Sequence, residues 1–331
     1  MRKAAVFFGL SSFLLAAVVT AQQAGQQQQA GQQQQQAGQQ QPQGQRGGGR
    51  GQADPKSRGG GQCASNPWNC IDTPNPLPKV DTVWLEEMTW MDVRDAMAAG
   101  KTTVIISTGG IEPNGPFLAL GKHNYVLRAN CEAIARKLGN ALCAPIDPFV
   151  PEGAPTGSAT GHMNTMGTIS LREETFQALL TDIVTSLKSG GFKNIMLIGD
   201  SGGNGRGMGA VATKLNAEWN ADPVVAHIPQ HYDYKSVSQL LSELGVTKPG
   251  MTDDGLHDDP GITMNMMVTD PNSVRWEARV KAGLATINGV SIADKTKALE
   301  IGKKIVEMRA TNTAAAIKTA IANKGKTGWS N

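Results

Sequence analysis

Between residues 22 and 62 this chain of 331 residues has no valine, leucine, isoleucine, methionine or aromatic side chain. From Gln22 to Gln45 it also lacks any charge. Glycine and arginine then take over in "RGGGRGQADPKSRGGG". Without apolar surface to bury, nothing offsets the entropy of ordering, and residues 22–62 are expected to form a disordered linker. The body lacks an excess of positive charge. Six of the 31 Lys and Arg residues, but one of the 28 acids, precede Cys63, so the remainder carries 25 basic against 27 acidic residues, a net of −2. A near-neutral body excludes a dedicated nucleic-acid binder.

Cysteine is scarce, with four in the chain. Cys63 and Cys70 bracket "CASNPWNC", and a small disulfide loop there suits an oxidising compartment. Cys131 falls in a helical pattern and Cys143 in a strand-like run, so both are read as small buried apolar side chains.

Long apolar runs are missing after residue 21. Before it, Arg2 and Lys3 precede an apolar stretch from Ala4 to Val19, and Val19-Thr20-Ala21 supplies small residues for cleavage. This is the pattern of a signal peptide over residues 1–21, too short for a good membrane span. It places the protein outside the cytoplasm, secreted or periplasmic, with no membrane attachment after cleavage. The expected organisation is a signal peptide (1–21), a linker (22–62), an extended lead-in (63–82) and one domain (83–331).

Within that domain, strand-like runs at Thr103–Ser107, Ala141–Pro145, Asn194–Ile198 and Pro223–Ile228 alternate with helical patterns. The clearest helix is Leu171–Ser189. Phe176, Leu179, Leu180, Ile183, Val184 and Leu187 mark one buried face, Ser170 and Glu173 suggest a capping box, and Gly190-Gly191 a stop. Helices are also expected at Tyr125–Leu138, Gly207–Trp219 and Ala293–Ala322, the last with a break near Ala310–Asn312. Such alternation predicts an α/β fold, a mostly parallel sheet with helices on both faces. Ligands then bind beyond the carboxyl ends of the strands. Three glycine-rich turns leave strands there: "STGGIEPNGP", "DPFVPEGAPTGSATGH" and "GDSGGNGRG".

The last turn fits the G-x-S-x-G nucleophile elbow at Ser201. It also spells the GDSGG of trypsin-like proteases, but a strand-to-helix turn with no upstream "AAHC"-type segment excludes that all-β fold. Ser201 with His257 as base is one catalytic reading, although no HGGG-like oxyanion segment precedes it. A helix N-terminus without chemistry is the plainer one.

From about Val83 onward the domain resembles the creatininase family. The similarity is carried by five segments in order: "VWLEEMTWMDVRDAMAAGKTTVII", "GGIEPNGPFLALGKHN", "GSATGHMNTMGTISL", "IGDSGGNGRGM" and "LHDDPGITM". The resemblance implies a creatininase-like layered fold, oligomers of the chain, and hydrolysis of C–N bonds in small cyclic amides and related substrates with divalent ions, Zn²⁺ or Mn²⁺. In that chemistry carboxylates and imidazoles hold the metal, whose bound water becomes a hydroxide near neutral pH.

Glu112 matches the family's first metal carboxylate, and His257 and His162 match later histidines. Asn114 stands where the family pattern has a histidine, His123 where it has an aspartate, Ser201 where it has a histidine, and Ile262 where it has a glutamate. A neutral imidazole has one lone pair and cannot bridge two ions as a carboxylate does, so a two-metal centre is not expected. The expected set is Glu112, His123 and His257 on one ion, with Asp200, Asp258 or Asp259 assisting. His257, Ser201 and Asp200 are the catalytic candidates. Asn114, His162, Gly202, Gly203 and Asn204 are the candidates for binding a small-molecule substrate. Three functions compete: a hydrolase with one metal or none, a metal-free serine hydrolase using Ser201 and His257, and a non-catalytic small-molecule-binding protein.

Overall fold

The computed structural model describes residues 53–156, 160–247 and 257–328. Residues 1–21, and the linker as far as residue 52, lie outside the described residues. The described residues divide into two compact units, one ending at Pro74 and one beginning at Asn75. In the first, Cys63 and Cys70 form a disulfide around the short helical turn Pro67–Asn69. Among the described residues no helix is long and apolar enough to cross a membrane.

The second unit is built on four parallel strands: β1 (Thr103–Thr108), β2 (Ala141–Cys143), β3 (Asn194–Gly199) and β4 (Val224–His227), in the order β2-β1-β3-β4. Alternation along the strands divides the core in two. Val104 and Ile106 of β1, and Ile195 and Leu197 of β3, face α3 (Glu173–Ser189) and α4 (Asn204–Glu218), where they meet Phe176, Leu180, Val184, Met208 and Val211. Ile105, Met196 and Ile198 face the other way, toward α2 (Lys122–Leu138) and α8 (Lys295–Ala322). The remaining helices are α1 (Trp90–Ala98), α5 (Tyr234–Glu243), α6 (Pro260–Thr269) and α7 (Trp276–Lys281). With the hairpin β5 (Thr286–Ile287) and β6 (Val290–Ser291), α5, α6 and α7 close a third apolar cluster around Met264, Met266 and Met267. This is the expected α/β architecture, with helices on both faces of a parallel sheet.

Four local expectations are corrected. The capping box at Ser170 and Glu173 does not form, because α3 begins after Arg172. Ser170 instead donates its hydroxyl to the Gly153 carbonyl and accepts from the Glu152 amide. α8 runs unbroken through Ala310–Asn312: Arg309, Ala310 and Thr313 are buried, and Thr311 returns its hydroxyl to the Glu307 carbonyl. Cys131 and Cys143 are buried but also bonded, since α2 lies across β2 and brings their Cα atoms to 6.3 Å. Finally, α2 starts at Lys122, three residues early, which puts Lys122 and His123 in its first turn.

Candidate metal and substrate site

The carboxyl ends of the strands open onto one cavity of about 820 Å³. Glu112 reaches it from the turn after β1, Glu152 from the segment after β2, and Ser201 from the turn between β3 and α4. Lys122 and His123 enter from α2, His162 from the helical turn Gly161–Asn164, and His257 from just before α6. The sequence expectation that Glu112, His123, Ser201 and His257 share one cleft therefore holds.

Glu112 is the hub. Its Oε1 accepts from Lys122 Nζ and His123 Nε2, both at 2.9 Å, and its Oε2 lies 3.1 Å from His162 Nε2. Burial pushes this carboxyl up, but the bond and charge of His123 and the charge of Lys122 outweigh it and hold Glu112 well below the usual range. His123 is gripped at both ends, because its Nδ1 lies 2.8 Å from Asp200 Oδ2. A ring between two carboxylates donates through both nitrogens, which is the imidazolium form. Burial alone would lower its pKa; the two carboxylates raise it instead.

Glu152 is buried, and no donor faces its Oε1 among the described residues. Ser201 Oγ donates to its Oε2 at 3.3 Å. Burial and the adjacent Glu112 charge push the Glu152 carboxyl up to about 9, so it keeps a proton and gives the carboxyl pair its hydrogen bond. Asp200 belongs to the cavity lining and is fully buried. Its Oδ1 accepts from Tyr234 Oη at 2.9 Å and Arg309 Nη2 at 2.8 Å. Burial would raise this carboxyl; the charge of Arg309 and the bond to His123 hold it well below its ordinary value.

Several sequence assignments are revised. His123 has no lone pair left for a metal, since both ring nitrogens are taken by carboxylates. Among the described residues, a group that could hold an ion is Glu112, His162 and His257, whose ligand atoms all lie within 4.8 Å of one another. One carboxylate and two imidazoles suit Zn²⁺ or Mn²⁺. His162, expected to bind substrate, replaces His123 in this set. Asp200 is committed to three partners, His123, Tyr234 and Arg309. Asp258 is occupied by both Nη atoms of Arg279, and Asp259 caps α6 by accepting from the Ile262 amide.

Asn114 and Asn204 are fully buried and outside the cavity lining. Asn114 Nδ2 donates to the Glu112 carbonyl, and Asn204 Nδ2 donates to the Thr108 and Gly109 carbonyls, so each ties a turn in place. Gly202 and Gly203 do line the cavity. Ser201 directs its hydroxyl to Glu152 and not to an imidazole. Lys122, Glu152, Tyr234 and Arg309 escaped sequence reasoning. Glu152 lay in plain view within one of the three turns, whereas Arg309 reaches the site from mid-helix, where no local pattern marks it.

The model of the creatininase family (creatinine amidohydrolase) matches residues 86–328. The chain belongs to the creatininase family. Solved creatininase structures share its fold at low identity. One described as creatinine amidohydrolase (creatininase) has a TM-score of 0.53 at 21% identity, covering 73% of this chain and 99% of its own. Another, described as "Creatininase Mn", has a TM-score of 0.54 at 21% identity with the same coverage. A putative creatinine amidohydrolase from Bacteroides fragilis NCTC 9343 has a TM-score of 0.51 at 21% identity, covering 73% of this chain and 97% of its own. No curated protein matches the chain.

Proposed function

We propose that this creatininase-family chain is a hydrolase that opens a C–N bond of a small polar amide or lactam-like substrate, using a single divalent ion, Zn²⁺ or Mn²⁺. The observation that carries this reading is the convergence of Glu112, His162 and His257 at the cavity wall. One matched creatininase carries manganese in its name, which supports the choice of a divalent ion. Such an ion would polarise the scissile carbonyl and make a bound water acidic near neutral pH.

The chain's own residues do the rest. Lys122 and His123 occupy Oε1 of Glu112 and leave Oε2 toward His162, which orients the carboxylate for one ion and not for two. Asp200, held by Arg309 and Tyr234, fixes the His123 ring. The backbone of Gly202 and Gly203 forms a cavity wall against which a substrate oxygen can lie. We further propose that the protein acts outside the cytoplasm. Residues 1–21 have the pattern of a signal peptide, and its two disulfides suit an oxidising compartment. Self-association is the corresponding proposal for its assembly, supported by the family resemblance.

The test is metal stoichiometry and affinity in chelator-stripped protein, followed by turnover on a panel of small lactams. One ion per chain is expected, with binding weakened at least about tenfold by Glu112→Gln, His162→Ala or His257→Ala. Ser201→Ala should bind metal normally, and a fluorophosphonate should not label Ser201. No stoichiometric metal, or labelling of Ser201, defeats the proposal in favour of a serine hydrolase or a binding protein.

A further inference from the structure

Two arms carry the candidate metal ligands Glu112 and His257, and they are far apart in sequence. His257 has a left-handed backbone, φ 58°, tolerated in histidine more than in most residues but still uncommon. Its downstream neighbours are both anchored by side chains. Asp259 caps α6. Asp258, almost fully buried, takes a two-pronged grip from Arg279, with Nη1 to Oδ1 at 2.9 Å and Nη2 to Oδ2 at 2.5 Å.

Arg279 is itself buried and immobilised. Its Nε donates to the Leu284 carbonyl at 2.8 Å, and its guanidinium lies 5.2 Å from the centre of the Phe117 ring. Its helix, α7, is sewn to the Glu112 turn: the Arg275 amide donates to the Phe117 carbonyl, the Ala119 amide donates to the Ser273 carbonyl, and Leu118 bridges Val274. Asp258 touches that turn directly. A Cβ on Gly115, φ 61°, would stand 3.2 Å from Asp258 Cβ and Cγ.

We propose that the Arg279–Asp258 fork sets the separation of the Glu112 and His257 arms, which makes Arg279 and Asp258 positioning residues for the ion. The inference rests on the metal reading above and goes beyond it, because neither residue is a ligand. A fork of two parallel bonds fixes direction as well as distance, and a lysine cannot reproduce it. Arg279 meets the His257 arm through Asp258 and the Glu112 arm through Phe117, so its influence on the ion needs both ligands in place.

The test is a double-mutant cycle on chelator-stripped full chain, titrated with Zn²⁺ against a competing indicator, with far-UV circular dichroism as the check on folding. Arg279→Lys is expected to weaken Zn²⁺ binding about tenfold in the unaltered background and to add nothing in a His257→Ala background. If Arg279→Lys fails to fold, Asp258→Asn, which keeps the shape and loses one prong, takes its place with the same expectation. Unchanged affinity in the single variant overturns the inference and leaves the metal reading standing. So does an equal further loss in the His257→Ala background, which would mean a general effect on the fold. Failure of the unaltered chain to bind Zn²⁺ or Mn²⁺ removes the metal reading, and the inference with it.

Discussion

Residue identity decides the chemistry of the site through the number of lone pairs and protons each side chain can offer. Glu112 presents two oxygens, one already committed to two cationic groups. His123, between Glu112 and Asp200, offers no lone pair, while His162 lies beside the remaining oxygen and His257 offers a ligand atom within 4.8 Å of theirs. Asp200 is the residue on which this division depends, since it compensates His123 and Arg309 in a fully buried setting. Removing one partner from a buried ion pair costs more than the pair contributes, because the other charge is left without compensation. Asp200→Asn is therefore expected to lower stability by about 3–5 kcal/mol, in the range found for such broken pairs. Urea melts of the variant against the parent would measure it, and a loss below about 1 kcal/mol, the scale of an exposed pair, would contradict the assignment.

At the scale of elements, close approach of helices brings Arg309 to the site. α8 crosses α6 so tightly that a Cβ on Gly302 would stand 2.1 Å from the Met264 carbonyl oxygen. That contact lies two turns before Arg309 and sets the depth at which its guanidinium reaches Asp200 and the His231 carbonyl. Gly302→Ala must push the helices apart, since the obstacle is backbone and not a flexible side chain. An overpacking cost of about 1–3 kcal/mol is expected, although alanine is the better helix former. A melting temperature equal to or above the parent's would show that the contact is looser than described. The early start of α2 belongs to the same scale: one extra turn places Lys122 and His123 on a rigid helix, where their spacing to Glu112 is fixed.

For the whole molecule, the buried histidines make stability depend on pH. Burial, reinforced by the Arg309 charge, pushes His231 down to about 3; burial pushes His227 down to about 4. Both are neutral in the folded chain and take up a proton near pH 6.5 once unfolded. The unfolded state therefore binds more protons below that pH. The stabilisation is fully present above about 6.5 and is lost as pH falls toward 4 and then 3, at up to about 1.4 kcal/mol per pH unit for each histidine. Asp200, with its lowered pKa, adds a further loss only below about pH 4. Melting temperatures between pH 6.5 and pH 4.5 are expected to fall, against the opposing slope of Glu152, which keeps its proton in the folded chain, and to fall less in His231→Asn. Equal slopes for the two proteins would mean that His231 is not buried neutral.

The sequence by itself determined the strands, the main helices, the parallel α/β class and the three turns that meet at one rim, because periodicity and glycine-rich turns are local properties. It also singled out Glu112 and His257, whose residue types suit a metal and whose segments resemble the family's. Only the tertiary structure shows which histidine lies within ligand distance of both. His123 and His162 are alike as letters, but one is held between two carboxylates and the other faces an open oxygen. The same holds for Asn114 and Asn204, taken up by backbone carbonyls, and for Ser201, turned to a glutamate. Lone pairs are assigned by neighbours brought together from distant parts of the chain, and no local pattern records which neighbours those will be.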